Sequence, residues 1–159
     1  MADRIATQTA VIATPIGPVR ITLRDGRVVD ISFKNGKKAS PARIDVSLQR
    51  VRLALTGYFR DPRAKRKVLL APAGTLFQQR VWRALRRIPS GQVRSYGQLA
   101  RTLGTSARAV GGACRANPIP VLIPCHRVVA ANGEGGFMGK TAGRAMTIKR
   151  WLLHHEQTC

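Results

Sequence analysis

The stretch Asn117-Pro-Ile-Pro-Val-Leu-Ile-Pro-Cys-His-Arg-Val-Val129 carries an apolar run between prolines and ends it on a cysteine beside a histidine. Proline fixes φ and removes a backbone donor, so the segment is read as stiff and extended rather than helical. Val121, Leu122 and Ile123 are read as buried, which places Cys125 and His126 where a short core strand emerges. An imidazole is the commonest neighbour to take a thiol's proton, so the pair is a candidate nucleophile. A lone cysteine is more often a buried, inert one. The surroundings have to decide.

Working outward, the charge is the first clue. Twenty-eight Lys and Arg oppose seven Asp and Glu in 159 residues, a formal net charge of +21. Self-repulsion on that scale destabilises a compact fold, and a polyanionic partner is its usual explanation. No acidic residue occurs between Asp61 and Glu134, an interval that holds Arg80, Arg83, Arg86, Arg87, Arg94, Arg101, Arg108, Arg115 and Arg127 among its basic residues. Arginine's planar fork suits phosphate. These charges are interleaved with apolar positions instead of forming one amphipathic stripe, which favours nucleic acid over a membrane surface. No run is long and apolar enough to span a bilayer, and the start Met-Ala-Asp-Arg does not read as a signal peptide. Apolar residues make up 44%, ordinary for a globular protein.

The cysteines are Cys114, Cys125 and Cys159, and the histidines are His126, His154 and His155. An odd count without framework spacing points to reduced thiols. The first 113 residues hold neither Cys nor His, which excludes a Cys/His zinc site there, and no metal or cofactor is expected.

Upstream, residues 9–14 and 19–33 read as strands. Val19, Ile21 and Leu23 alternate with Arg20, Thr22 and Arg24, and Asp25-Gly26 is a hairpin turn signal. Residues 43–60 show helical spacing through Leu48, Val51, Leu55 and Tyr58. A basic linker, residues 61–67, precedes an extended piece from Val68 to Pro72. The expected division is a sheet-and-helix domain over 1–68 and a second domain over 69–159.

In the second domain, Thr75-x-x-Gln78 and Ser95-x-x-Gln98 are capping-box patterns that open helices. Gly104 ends the Ser95 helix, and Thr105 or Ser106 starts another carrying Arg108-Ala-Val-Gly-Gly-Ala-Cys-Arg115. Two short helices around a Gly-containing turn are a helix-turn-helix candidate. Gly111 and Gly112 cost that helix about 1 kcal/mol each relative to alanine. Either a neighbouring helix packs closely there, or a thin helix lets its backbone approach a nucleic-acid groove, most of all a narrow minor groove. Residues 130–139 form a Gly-rich loop read as a pocket lid containing Phe137, and a last helix covers roughly 144–155. Only Glu134 and Glu156 supply carboxylates in the last 98 residues, which makes Glu156 the best candidate to complete a Cys-His-carboxylate set.

Pro124-Cys-His-Arg-Val128 resembles the active-site signature of the O6-alkylguanine-DNA alkyltransferases. Thr75-Leu-Phe-Gln-Gln-Arg-Val-Trp-Arg-Ala-Leu85, Ser95-Tyr-Gly-Gln-Leu-Ala100, Ala107-Arg-Ala-Val-Gly-Gly112, Asn117-Pro118 and Leu152-Leu-x-His-Glu156 are similar to that family in the same order. The likeness is tight from about residue 72 onward. Earlier residues share only the strand pattern and the Tyr58-Phe59 helix.

The resemblance implies an α+β fold, with a small N-terminal antiparallel sheet and a helix. A mostly helical C-terminal domain follows, with a helix-turn-helix and a short active-site strand. It implies a single-turnover DNA-repair enzyme that flips O6-alkylguanine out of duplex DNA through the minor groove and moves the alkyl group irreversibly to Cys125. O4-alkylthymine is a second candidate lesion. His126 relays the thiol proton through water, and Glu156 orients His126. Tyr96 assists guanine's departure, and Arg108 fills the gap left by the flipped base. Ser95, Ala109, Gly111, Gly112 and Arg115 are the further DNA-binding residues it implies, and Val128, Phe137, Met138 and Asn117 the pocket residues, with Asn117 also as the hinge to the active-site strand. A monomer is expected, in the cytoplasm at the nucleoid if bacterial or in the nucleus if eukaryotic. Two other readings compete: an alkyltransferase-like lesion binder, which lacks the acceptor cysteine, and a plain helix-turn-helix transcription factor.

Three departures from the family pattern stand out. The turn Leu103-Gly-Thr-Ser-Ala107 is about two residues shorter than usual, and the segment from Cys125 to Glu156 is a few residues longer. Phe137 stands where an aromatic, often Tyr, is expected.

Overall fold

The computed structural model describes residues 7–33 and 45–158. They fall into two compact units, one running to Ala73 and one from Gly74.

In the first unit, β1 (Thr7–Ile12), β2 (Val19–Arg24) and β3 (Arg27–Ser32) make an antiparallel sheet in that order. Asp25 and Gly26 both take positive φ, 51° and 76°, as a two-residue hairpin turn matched to strand twist requires. The alternation read from the sequence is real: Val19, Ile21 and Leu23 are buried and their neighbours are not. Helix α1 (Val46–Arg60) buries Leu48, Val51, Ala54, Leu55 and Tyr58 and lies against β1. Asp45 caps it by accepting from the Leu48 amide, and Gln8 of β1 donates to the same carboxylate. The first residues of the expected helix, 43 and 44, lie outside the described residues. The extended piece after the linker stays with this unit. Val28 N donates to Leu69 O and Ala71 N to Val28 O, so the unit ends five residues beyond the expected boundary at 68.

The second unit begins with α2 (Leu76–Leu85), whose Thr75–Gln78 capping box forms in both directions. Trp82 of α2 is buried and donates its indole N–H to Ala113 O at 2.8 Å. Strand β4 (Arg94–Ser95) leads into α3 (Tyr96–Leu103), which has its own complete capping box and ends on left-handed Gly104. Ser106 then caps α4 (Ala107–Arg115). Helices α3 and α4 pack on each other, and α4 packs on α2. This is the helix-turn-helix arrangement that the sequence suggested.

The opening stretch folds differently from its sequence reading. Residues 118–123 are turns rather than an extended strand, and Cys125–Arg127 form one 3-10 turn. Asn117 is the reason. Its Oδ1 accepts from Ile119 N at 3.0 Å and its Nδ2 donates to Ile123 O at 2.9 Å. Ile123 N also donates to Ile119 O, so the chain closes around one side chain. Val121 is forced to φ 74°, a left-handed conformation that disfavours a β-branched residue. The strand comes after the cysteine instead: β5 (Val128–Val129) pairs in parallel with β4. Helix α5 (Arg144–Thr158) completes the unit. No helix among the described residues is long and apolar enough to cross a membrane.

Candidate active site

The 3-10 turn after Pro124 places three consecutive side chains in the interior: Cys125, His126 and Arg127 are 5%, 0% and 9% exposed. The next turn of structure, the C-terminal part of α5, brings Glu156 to meet two of them. His126 Nε2 lies 2.7 Å from Glu156 Oε1, and Arg127 donates from Nε and Nη2 to the same carboxylate. Arg127 Nη1 donates to Ile88 O at 2.6 Å. The sequence reading grouped Arg127 with arginines facing a polyanion. That expectation is corrected: its guanidinium is consumed inside the protein.

Burial pushes the Glu156 carboxyl up, but hydrogen bonds from His126 and Arg127 outweigh it and hold the group well below the usual carboxylate range. Burial pulls His126 below its ordinary value, against the opposing pull of Glu156. A neutral imidazole that donates from Nε2 to Glu156 keeps its lone pair on Nδ1. That Nδ1 is buried and has no hydrogen-bond partner among the described residues. It is a base with a free acceptor, next in sequence to the thiol.

Burial also pushes the Cys125 thiol up, opposed by a hydrogen bond from Asn117 and by the nearby Lys149 cation. The resting group is therefore a thiol that needs a base. Lys149, fully buried, donates to Val128 O at 2.7 Å and Gly136 O at 2.8 Å. It ties the strand after Cys125 to the Gly-rich loop. The sequence reading missed it. The available signal was a lysine three residues before Leu152 and four after Ala145, on the apolar face of α5.

Cys125 lines a pocket of about 390 Å³. Its walls include Tyr96 from α3, Arg108, Gly111, Gly112 and Arg115 from α4, and Phe137 and Met138 from the loop. Tyr96 is held in its protonated form chiefly by burial, and its hydroxyl meets the Gly136 backbone. The loop closes as a tight two-residue turn: Phe137 and Lys140 exchange both backbone hydrogen bonds, with Met138 and Gly139 at φ 50° and 75°. Gly135 lets this loop pass Tyr96, because a Cβ there would sit 2.9 Å from the ring. Phe137, 3% exposed, packs as wall. Gly111 and Gly112 face open space, with nothing within 4 Å of an added Cβ. Close packing is therefore not what these glycines serve.

Two of the expected pocket residues, Val128 and Asn117, are not among those that line it. Val128 is fully buried on β5 and contributes its carbonyl to Lys149, not a pocket wall. Asn117 braces the turn and hydrogen-bonds the Cys125 thiol. Ser95 uses its hydroxyl to cap α3, and Ala109 donates its amide to the Ser106 cap. Cys114, given no role from sequence, does line the pocket, and burial pushes its thiol up to about 12. Among the described residues no cluster of His, Cys, Asp and Glu could hold a metal ion.

Residues 76–158 match the family described as 6-O-methylguanine DNA methyltransferase, DNA binding domain. A methylated-DNA–protein-cysteine methyltransferase of Methanosarcina acetivorans is 36% identical over 157 residues, covering 94% of this chain and 98% of the relative. The chain belongs to the methylated-DNA–protein-cysteine methyltransferase family. The Salmonella typhimurium methyltransferase is 53% identical over 89 residues, 54% of this chain and 49% of that protein. The crystal structure of Mycobacterium tuberculosis O6-methylguanine methyltransferase superposes with a TM-score of 0.82 at 33% identity, covering 96% of this chain and 94% of that one. The same protein in complex with DNA gives 0.78 at 34% identity, with 94% and 93% covered. The α+β fold expected from sequence is the fold of this methyltransferase family.

Proposed function

We propose that this methyltransferase repairs DNA by taking an alkyl group from O6 of guanine onto Cys125, once per molecule. The observation that carries the reading is one turn of chain. It sets Cys125 at a pocket wall, with His126, the next residue, backed by the buried Glu156 carboxylate.

His126 Nδ1 accepts the Cys125 proton through one water, and the sulfur attacks the alkyl carbon in line. The S–C bond forms as the C–O6 bond breaks, and guanine leaves with a proton. The phenol of Tyr96, kept protonated by burial, is placed on the same pocket to supply that proton. Glu156 holds His126 in the productive tautomer and stabilises the imidazolium that forms. The thioether is stable, so the protein turns over once.

A base inside a duplex cannot reach the pocket, so the lesion is flipped. An O6-alkylguanine pairs poorly and is cheaper to extrude than normal guanine. Helix α4 is the element we place in the minor groove. Its open glycine face supports a close backbone approach, and the exposed Arg108 at the pocket mouth suits the space that the flipped base vacates. An alkyltransferase-like lesion binder lacks the acceptor, and Cys125 argues against it.

The test is incubation with duplex DNA carrying O6-methylguanine, followed by mass analysis of peptides. One methyl on the Cys125 peptide, in stoichiometric amount, is expected. Cys125→Ala is expected to bind lesion DNA without transfer, and Arg108→Ala to slow duplex repair far more than reaction with the free modified base. Unmodified Cys125 beside tight lesion binding, or methyl arriving on Cys114, would overturn the assignment.

A further inference from the structure

A second cleft, about 500 Å³, opens between the end of α2, β4 and α3, and it shares no lining residue with the acceptor pocket. Arg87, Arg94 and Arg101 line it together with Ile88, Leu99 and Leu103. Arg87 and Arg101 are exposed, whereas Ile88 and Leu99 are buried, so basic side chains line the cleft over an apolar floor. None of the three arginines has a carboxylate partner among the described residues. Arg94 is also held in place, donating to Val93 O at 2.9 Å and to Gln92 Oε1 at 3.0 Å.

A ligand for this cleft must offer anionic oxygens to the arginines and a flat apolar surface to the floor. The size is that of a small-molecule site, about 300–1,000 Å³. A nucleotide meets both demands. In a duplex only the phosphates are presented and the floor would go unused. In a single strand each base has a free face, and arginine and apolar surface can stack on it without regard to sequence.

We propose that the Arg87–Arg94–Arg101 cleft is a second nucleic-acid site that holds a nucleotide of a single strand. The phosphate lies on the arginines and the base over Ile88, Leu99 and Leu103. The site gives the protein a grip on exposed single strand that does not pass through α4, and it stands whether or not Cys125 is the alkyl acceptor.

The test uses the full chain and a labelled oligothymidylate, with binding followed by anisotropy across a salt series. Each phosphate neutralised on a single strand adds about 0.7 to the slope of log affinity against log salt, so losing this one phosphate contact lowers the slope by about 0.7. Arg87→Gln/Arg94→Gln/Arg101→Gln is expected to show that drop. Arg52→Gln/Arg60→Gln/Arg63→Gln removes the same charge from exposed positions elsewhere and is expected to leave the slope near wild type. Both variants should keep the wild-type circular dichroism spectrum and urea midpoint, which report on folding. Equal slopes in all three proteins, or equal drops in both variants, overturn the proposal. Should the cleft variant fail to fold, photo-crosslinking of wild type to a 5-iodouracil oligonucleotide decides. Crosslinks within residues 84–103 support the site, and crosslinks confined to residues 107–115 overturn it.

Discussion

Glu156 is the single residue on which the buried polar network converges. It takes the His126 imidazole and both inner nitrogens of Arg127, and its other oxygen faces the Gly91 amide at 3.4 Å. Replacing it with glutamine removes the charge but keeps the shape, leaving the Arg127 cation uncompensated at 9% exposure. Breaking a buried pair in this way costs about 3–5 kcal/mol. Glu156→Gln is therefore expected to lower stability in urea by that order and to slow alkyl transfer. The pH response follows the same groups. The folded carboxyl sits below its ordinary 4.5, so its contribution is complete above that value and is lost as pH falls through and below it. His126 is pulled below 6.5 by burial and has the same sign, so unfolding is favoured once pH drops under that value. Wild type should lose stability in two stages on acidification, and Glu156→Gln should lack the lower stage in a urea-by-pH series. Glu156 was legible in the sequence because the last 98 residues offer only two carboxylates. The role of Arg127 was not, because nothing in a basic stretch marks which guanidinium turns inward.

At the scale of elements, the legible features were those that act locally. Both capping boxes formed as written because an N-cap and its third neighbour are one turn apart and need no tertiary partner. The segment before Cys125 defied its reading because the deciding interaction is a side chain bonding backbone two and six residues away, which periodicity does not encode. The pairing of β4 with β5 spans two residues each, too short for any alternation to register. Helix α4 keeps two glycines against helix propensity. Gly111 and Gly112 weaken the helix and face open space, so no packing constraint keeps them small. Gly111→Ala/Gly112→Ala should stabilise the protein by about 1 kcal/mol per site. If α4 enters a minor groove, the two added methyls should weaken duplex DNA binding at the same time. Urea unfolding and anisotropy on the double variant measure both. A gain in stability with unchanged DNA affinity would remove the groove from the account of these glycines.

At the scale of the molecule, a net charge of +21 sets two salt responses against each other. Like charges on one chain repel, and folding brings them closer, so the folded state carries an electrostatic penalty that ions screen over a Debye length of about 10 Å near 0.1 M. Adding salt should therefore raise the urea midpoint. DNA binding runs the other way. Each phosphate neutralised releases counterions on association, and added salt opposes that release. A protein with 6–10 such contacts loses about 10³–10⁵ in affinity between about 50 and 200 mM salt. Sodium chloride over that range should thus stabilise this chain while stripping it from undamaged duplex. Carboxylate pairs cannot cancel the first effect: Arg150 pairs with Glu134 at the surface, but seven acids face twenty-eight Lys and Arg, and residues 62–133 contain no acid at all. A midpoint that falls with salt would mean that the basic residues are already neutralised within the fold, and the case for a polyanionic partner would lose its main physical support.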